Sequence, residues 1–213
     1  MKTEDLIVML ADAPRPPSRA VAGKRLGRAL AMSIVTALLL IQTIPVSGVR
    51  LEGVVFTPLF WIKVLLPLSM TVGGLWVTSR LSQPGVEVGR LWLVLGLPMA
   101  AVWLAAVITL LASPTPTRTD LVLGHTWRTC SLYIAELSCL PLLILFWAMR
   151  GLAATQPVAA GVATGLLAGA IGTLAYCFRC PETAVPFWAT WYSLGMAIPA
   201  LIGGMAGRWI LRW

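Results

Sequence analysis

Six long apolar stretches alternate with short polar joints along the chain. They run over Ala29–Val46, Thr57–Ser79, Gly89–Ala112, Thr129–Met149, Val158–Cys177 and Val185–Leu211. Each is close to the ~20 residues that a helix needs to cross a bilayer. In hydrocarbon the backbone must satisfy its own hydrogen bonds, so such stretches are read as helices. The pattern therefore predicts an all-α polytopic membrane protein with six transmembrane helices and no inserted soluble domain.

Residues 1–28 differ in character. Leu6, Met9 and Leu10 recur at helical spacing, Ile7 and Val8 widen the stripe, and Thr3 can cap a helix with Glu4 and Asp5 in its first turn. So short a helix is marginal alone in water and needs something to dock on. Pro14, Pro16 and Pro17 then predict a stiff extended linker, ended by Lys24, Arg25 and Arg28 at the membrane. This divides the chain into an N-terminal segment, 1–28, and a six-helix domain, 29–213. The polar lead is too long, and the first apolar run long enough to span, for a cleavable signal peptide.

Composition agrees with the pattern: 58% of the 213 residues are hydrophobic and only 11% are charged. The net charge of +8 points to membrane orientation rather than nucleic acid, because the basic residues flank the apolar runs. Eleven of them (Lys2, Arg15, Arg19, Lys24, Arg25, Arg28, Arg80, Arg90, Arg150, Arg208 and Arg212) fall on one side, against Arg50, Arg118, Arg128 and Arg179 on the other. The positive-inside rule then places both termini in the cytoplasm. Cys130, Cys177, Cys180 and His125 come to the outer face.

The stretch Tyr176-Cys177-Phe178-Arg179-Cys180-Pro181-Glu182 carries the most chemistry. Its Cys-x-x-Cys spacing sets two thiols about one helical turn apart, and Cys130 begins the fourth run at the same face. Cys130, Cys177 and Cys180, joined by His125, are candidates for a thiol sensor or a site for zinc or another soft metal. A structural disulfide is the competing reading. Cys139 lies about 13 Å along the helix axis from Cys130 and on the opposite face, and is read as a small core residue.

Lys63 and Glu136 are charges inside apolar runs, both near the outer end. A charge at that depth is costly unless paired, so an ion pair between them is expected. Gly161, Gly165 and Gly169, with Gly203 and Gly207, form small-residue ridges suited to close helix approach. The chain has no Walker or dinucleotide glycine pattern, no His-x-x-x-His and no Ser/His/Asp set, and nothing in it points to direct nucleic-acid binding or to an enzyme.

Several stretches resemble the NrsF family of negative regulators of sigma factor. They are Met1-Lys2-Thr3-Glu4-Asp5-Leu6-Ile7, Trp127-Arg128-Thr129-Cys130, Cys180-Pro181-Glu182, and Phe187-Trp188-Ala189-Thr190-Trp191-Tyr192-Ser193-Leu194-Gly195-Met196. The resemblance covers essentially the whole chain. It implies an inner-membrane anti-sigma factor that holds an extracytoplasmic-function sigma factor and releases it under stress, including heavy-metal stress, with no required cofactor. The family's two periplasmic cysteines map onto Cys130 and Cys180. Cys177 is additional to them, leaving open whether Cys180 pairs with Cys130 or Cys177, or all three hold a metal. The sigma-binding face maps to Leu6, Ile7, Met9 and Leu10. A membrane thiol oxidoreductase and a small metal- or proton-coupled transporter are the rival readings. The first lacks a second outer thiol pair, and the second does not account for the N-terminal helix.

Overall fold

A computed structural model describes residues 19–44, 57–83, 85, 89–152 and 154–211. The expected N-terminal helix, its sigma-binding residues Leu6, Ile7, Met9 and Leu10, and the linker prolines Pro14, Pro16 and Pro17 lie outside these residues. Among the described residues the elements are α1 (Arg19–Leu40), α2 (Pro58–Leu81), α3 (Trp92–Ala112), α4 (Thr115–Leu123), α5 (Trp127–Met149), α6 (Pro157–Tyr176) and α7 (Val185–Ile210). Single 3-10 turns follow α1 at Ile41–Thr43 and precede α3 at Gly89–Leu91. No strand occurs among the described residues. Among the described residues six helices are long and apolar enough to cross a membrane.

Five of the six expected spans match within about two residues. The first does not. The structure continues α1 back to Arg19, so the boundary drawn between residues 28 and 29 falls inside a helix. Lys24, Arg25 and Arg28 extend α1 rather than flank it. Lysine and arginine are good helix formers, and Ala22, Leu26 and Ala29 bury one face at i, i+4, i+7. The short α4 was not legible from its mixed polar sequence.

The centre of the bundle is α6. Of the most apolar 18-residue window in each helix, 72% is buried in α6 and 11% in α3. Glycine explains the difference. A Cβ at Gly161 would fall on the carbonyl oxygen of Gly203, one at Gly165 on that of Pro199, and one at Gly207 on that of Pro157. The ridges read from the sequence thus face each other, and α6 and α7 pack backbone to backbone. On other faces of α6, Gly74 of α2 meets Leu167, and Gly172 meets Ser138 and Ile134 of α5. By contrast α3 buries only Leu95 and Ala106.

Helix ends gather in two groups. At one end Arg25 donates to the carbonyl of Trp147, 2.9 Å away, joining the start of α1 to the end of α5. At the other, the starts of α2, α5 and α7 converge on the end of α6, and the thiols lie there.

Candidate functional site at the thiol end

Local backbone geometry aims the cysteines inward. After α6, Cys177 N–H donates to Thr173 O (2.9 Å), Arg179 N–H to Tyr176 O (2.9 Å) and Cys180 N–H to Tyr176 O (3.0 Å). The chain keeps a helix-like turn through the Cys-x-x-Cys stretch. Cys177 and Cys180 therefore share the buried side, while Phe178 is exposed and Arg179 reaches Gln42, 3.1 Å away. Cys130, in the first turn of α5, is fully buried opposite them. All four cysteines are free thiols.

Of the two loop thiols, Cys180 is the one on which Cys130 acts; the Lys63 ammonium, Tyr192 and the Glu182 backbone act on it as well. Cys130 is the chief influence holding the Cys180 thiol below its ordinary range; burial opposes it and Lys63 assists. Burial pushes Cys177 the other way, up to about 12. A chain of rings encloses the thiols: Tyr133 and Tyr176 have centroids 6.1 Å apart, and Tyr176 and Tyr192 6.2 Å. The Tyr192 hydroxyl is buried there without a hydrogen bond of good geometry.

Lys63 is buried at 2% exposure, and it does not pair with Glu136. Its Nζ donates to the carbonyl oxygens of Cys180 (2.7 Å) and Glu182 (3.0 Å), and lies 5.8 Å from the Tyr192 ring centroid. Glu136 is exposed on the outside of α5. The expected ion pair fails because Lys63 points into the bundle with Phe60, Val64 and Pro67, whereas Glu136 points out of it. That i, i+3, i+4, i+7 row around Lys63 was the available signal for its inward face.

His125 does not join the thiols. Its side chain is 96% exposed, with Nδ1 3.5 Å from Glu182 Oε1. The same oxygen accepts the His125 backbone N–H at 2.7 Å. The four-residue set Cys130, Cys177, Cys180 and His125 is therefore not assembled. Among the described residues no group of three or more His, Cys, Asp or Glu is placed to hold a metal ion. Cys139 is not a core residue: it is exposed, its thiol 3.3 Å from the Ala135 carbonyl. The half-turn offset from Cys130 was sound, but the opposite face of α5 there is the outside of the bundle.

Sequence reasoning missed Tyr176 and Tyr192 as walls of the thiol site, and Glu182 as its anchor. Glu182 fastens the loop to the α4–α5 joint through His125, while its carbonyl fastens it to α2 through Lys63. Trp191 Nε1 adds a bond to Val122 O at 2.8 Å, and Ser131 Oγ donates to Trp191 O at 3.0 Å.

Fold and site together define an all-helical bundle, suited by length and composition to a membrane, with a sealed thiol pair at one end. Such a site offers two-thiol chemistry in a packed, buried setting. A family model described as NrsF, "Negative regulator of sigma F", matches residues 10–213, and the chain belongs to this family. A relative in Azospira oryzae, "Probable anti-sigma-F factor NrsF", is 38% identical over the full length of both chains. So is "Anti-sigma-F factor NrsF" of Caulobacter vibrioides, also at 38%. No solved structure matches. The family's role is regulatory, and nothing in the site points to catalysis.

Proposed function

We propose that this protein is an inner-membrane anti-sigma factor that sequesters an extracytoplasmic-function sigma factor. It releases the sigma factor when the Cys130–Cys180 thiol pair reacts under metal or redox stress. The observation that carries the reading is the match, over essentially the whole chain, to relatives named as anti-sigma-F factors. The excess of basic residues on one set of joints supports cytoplasmic termini and a periplasmic thiol end. Leu6, Ile7, Met9 and Leu10 make the sigma contact, since an apolar cytoplasmic stripe needs a partner. When a stress oxidant takes two electrons and two protons from the Cys130 and Cys180 thiols and the S–S bond forms, or a soft metal ion bridges them, the start of α5 is pulled against the end of α6. That biases two packings of the bundle, and a differential of about 3 kcal/mol changes sigma occupancy more than a hundredfold.

The test is a pull-down from native cytoplasm with the solubilised full chain and with a form lacking residues 1–16. Retention of an extracytoplasmic-function sigma factor by the first and loss by the second is expected. Absence of any sigma factor from both, in gentle detergent and unstressed cells, overturns the reading.

A further inference from the structure

Lys63 poses a physical problem that the regulatory reading leaves unsolved. A buried ammonium carries a desolvation cost of several kcal/mol unless it is paired and hydrogen-bonded. No carboxylate among the described residues pairs with it: Glu136 is exposed, and the Glu182 carboxylate is turned to His125. Its partners are two carbonyls and a ring face, which satisfy donors but do not neutralise charge. An apolar side chain of similar length would fill the space without that cost. The acidic groups beside the ammonium are thiols.

The two carbonyls belong to Cys180 and Glu182, on either side of Pro181. Proline has no N–H, so the loop's own backbone lacks a donor at its centre. Lys63 supplies donors from α2 instead, and in doing so fixes the backbone that carries the Cys180 thiol.

We propose that Lys63 is the positioning residue of the thiol pair: through the Cys180 and Glu182 carbonyls it holds the Cys180 backbone in place and sets its ammonium beside the two thiols. This rests on the reading of that pair as the responsive site. Lys63 faces the pair from α2, Cys130 from α5 with Tyr133 behind it, Tyr176 and Cys177 from the end of α6, and Tyr192 from α7. Lys63 is the only cation in that set.

The test compares Lys63→Met, Lys63→Gln and Lys63→Arg with the parent, each as full-length protein in nanodiscs. Iodoacetamide forms an S–C bond with a thiolate and expels iodide, so its rate at Cys180, mapped by peptide mass spectrometry, follows the thiolate with pH. An opposite charge nearby shifts a thiol by roughly 1–3 pH units, so Lys63→Met and Lys63→Gln are expected to slow alkylation at pH 7 by about twofold or more. Their pH midpoints are expected to rise, and Lys63→Arg to stay near the parent. Diamide takes two electrons and two protons from the two thiols, becoming the hydrazine as the S–S bond forms. Lys63→Met is expected to lower that disulfide yield, and Lys63→Gln, which keeps a donor for the carbonyls, to preserve it. Should Lys63→Met not fold, the Lys63→Gln midpoint decides. A Lys63→Gln profile superimposed on the parent's overturns the proposal. Sigma retention by the parent is scored separately. Its failure sinks the regulatory reading while the alkylation profiles still decide the role of Lys63.

Discussion

The carbonyl oxygen of Gly203 occupies the place where a Cβ on Gly161 would stand. No rotamer change relieves that clash, because backbone meets backbone. Gly161→Val is therefore expected to force α6 and α7 apart, at a cost of about 1–3 kcal/mol typical of overpacking, or more. A lower Tm in detergent checks it. Gly96→Ala is the control: nothing lies within 4 Å of a Cβ there, and Tm should hold or rise slightly.

The thiols should separate by reactivity. Cys180 is held below its ordinary range, chiefly by Cys130, and burial drives Cys177 up to about 12. The folded value for Cys180 is below the ordinary 9.0, so its thiolate stabilises the fold at pH above 9. That contribution is lost as pH falls through the lowered value. In the unmutated protein, iodoacetamide at pH 7 should modify Cys180 before Cys177, with a rate inflection below the ordinary thiol range. Equal labelling of both would contradict the assigned environments.

Cys139 is exposed on the outside of α5, and its thiol bonds only within its own turn. Cys139→Ser should leave stability within about 0.5 kcal/mol and the stress response unchanged. Cys130→Ser or Cys180→Ser should abolish the response to diamide while sigma retention in unstressed cells persists. A sigma-dependent reporter reads both.

Glu182 accepts the backbone N–H of His125 at 2.7 Å. Hydrogen bonds to charged groups contribute about 1.5–3 kcal/mol, so Glu182→Ala should destabilise by roughly that amount. Glu182→Gln, which keeps an acceptor oxygen, should cost less. His125→Ala retains the backbone donor and removes only an exposed ring, so its melting curve should match the parent's.

Sequence alone determined the class of fold. Apolar runs near bilayer length leave a backbone one economical solution, an internally bonded helix, and five of six were legible within about two residues. The glycine ridges announced the α6–α7 contact, since a row of small residues at helical spacing has one evident use. The start of α1 was missed because charge was read as a boundary, although lysine and arginine continue a helix well. Family membership was legible from the Trp127-to-Cys130 entry and the Cys180-to-Met196 stretch.

Partner choice was decided only by the tertiary structure. Whether Lys63 meets Glu136 or the Cys180 carbonyl depends on how α2 and α5 are rotated about their axes. That rotation is set by contacts elsewhere, such as Gly74 on Leu167 and Gly172 on Ser138. Cys139 shows the same limit: periodicity placed it half a turn from Cys130, but whether that face met a neighbour or the outside needed the whole bundle. The bond from Lys63 to the Cys180 carbonyl likewise joins residues 117 positions apart, a meeting that no local pattern signals. A helix's periodicity fixes which residues share a face; packing against the other helices decides what that face meets.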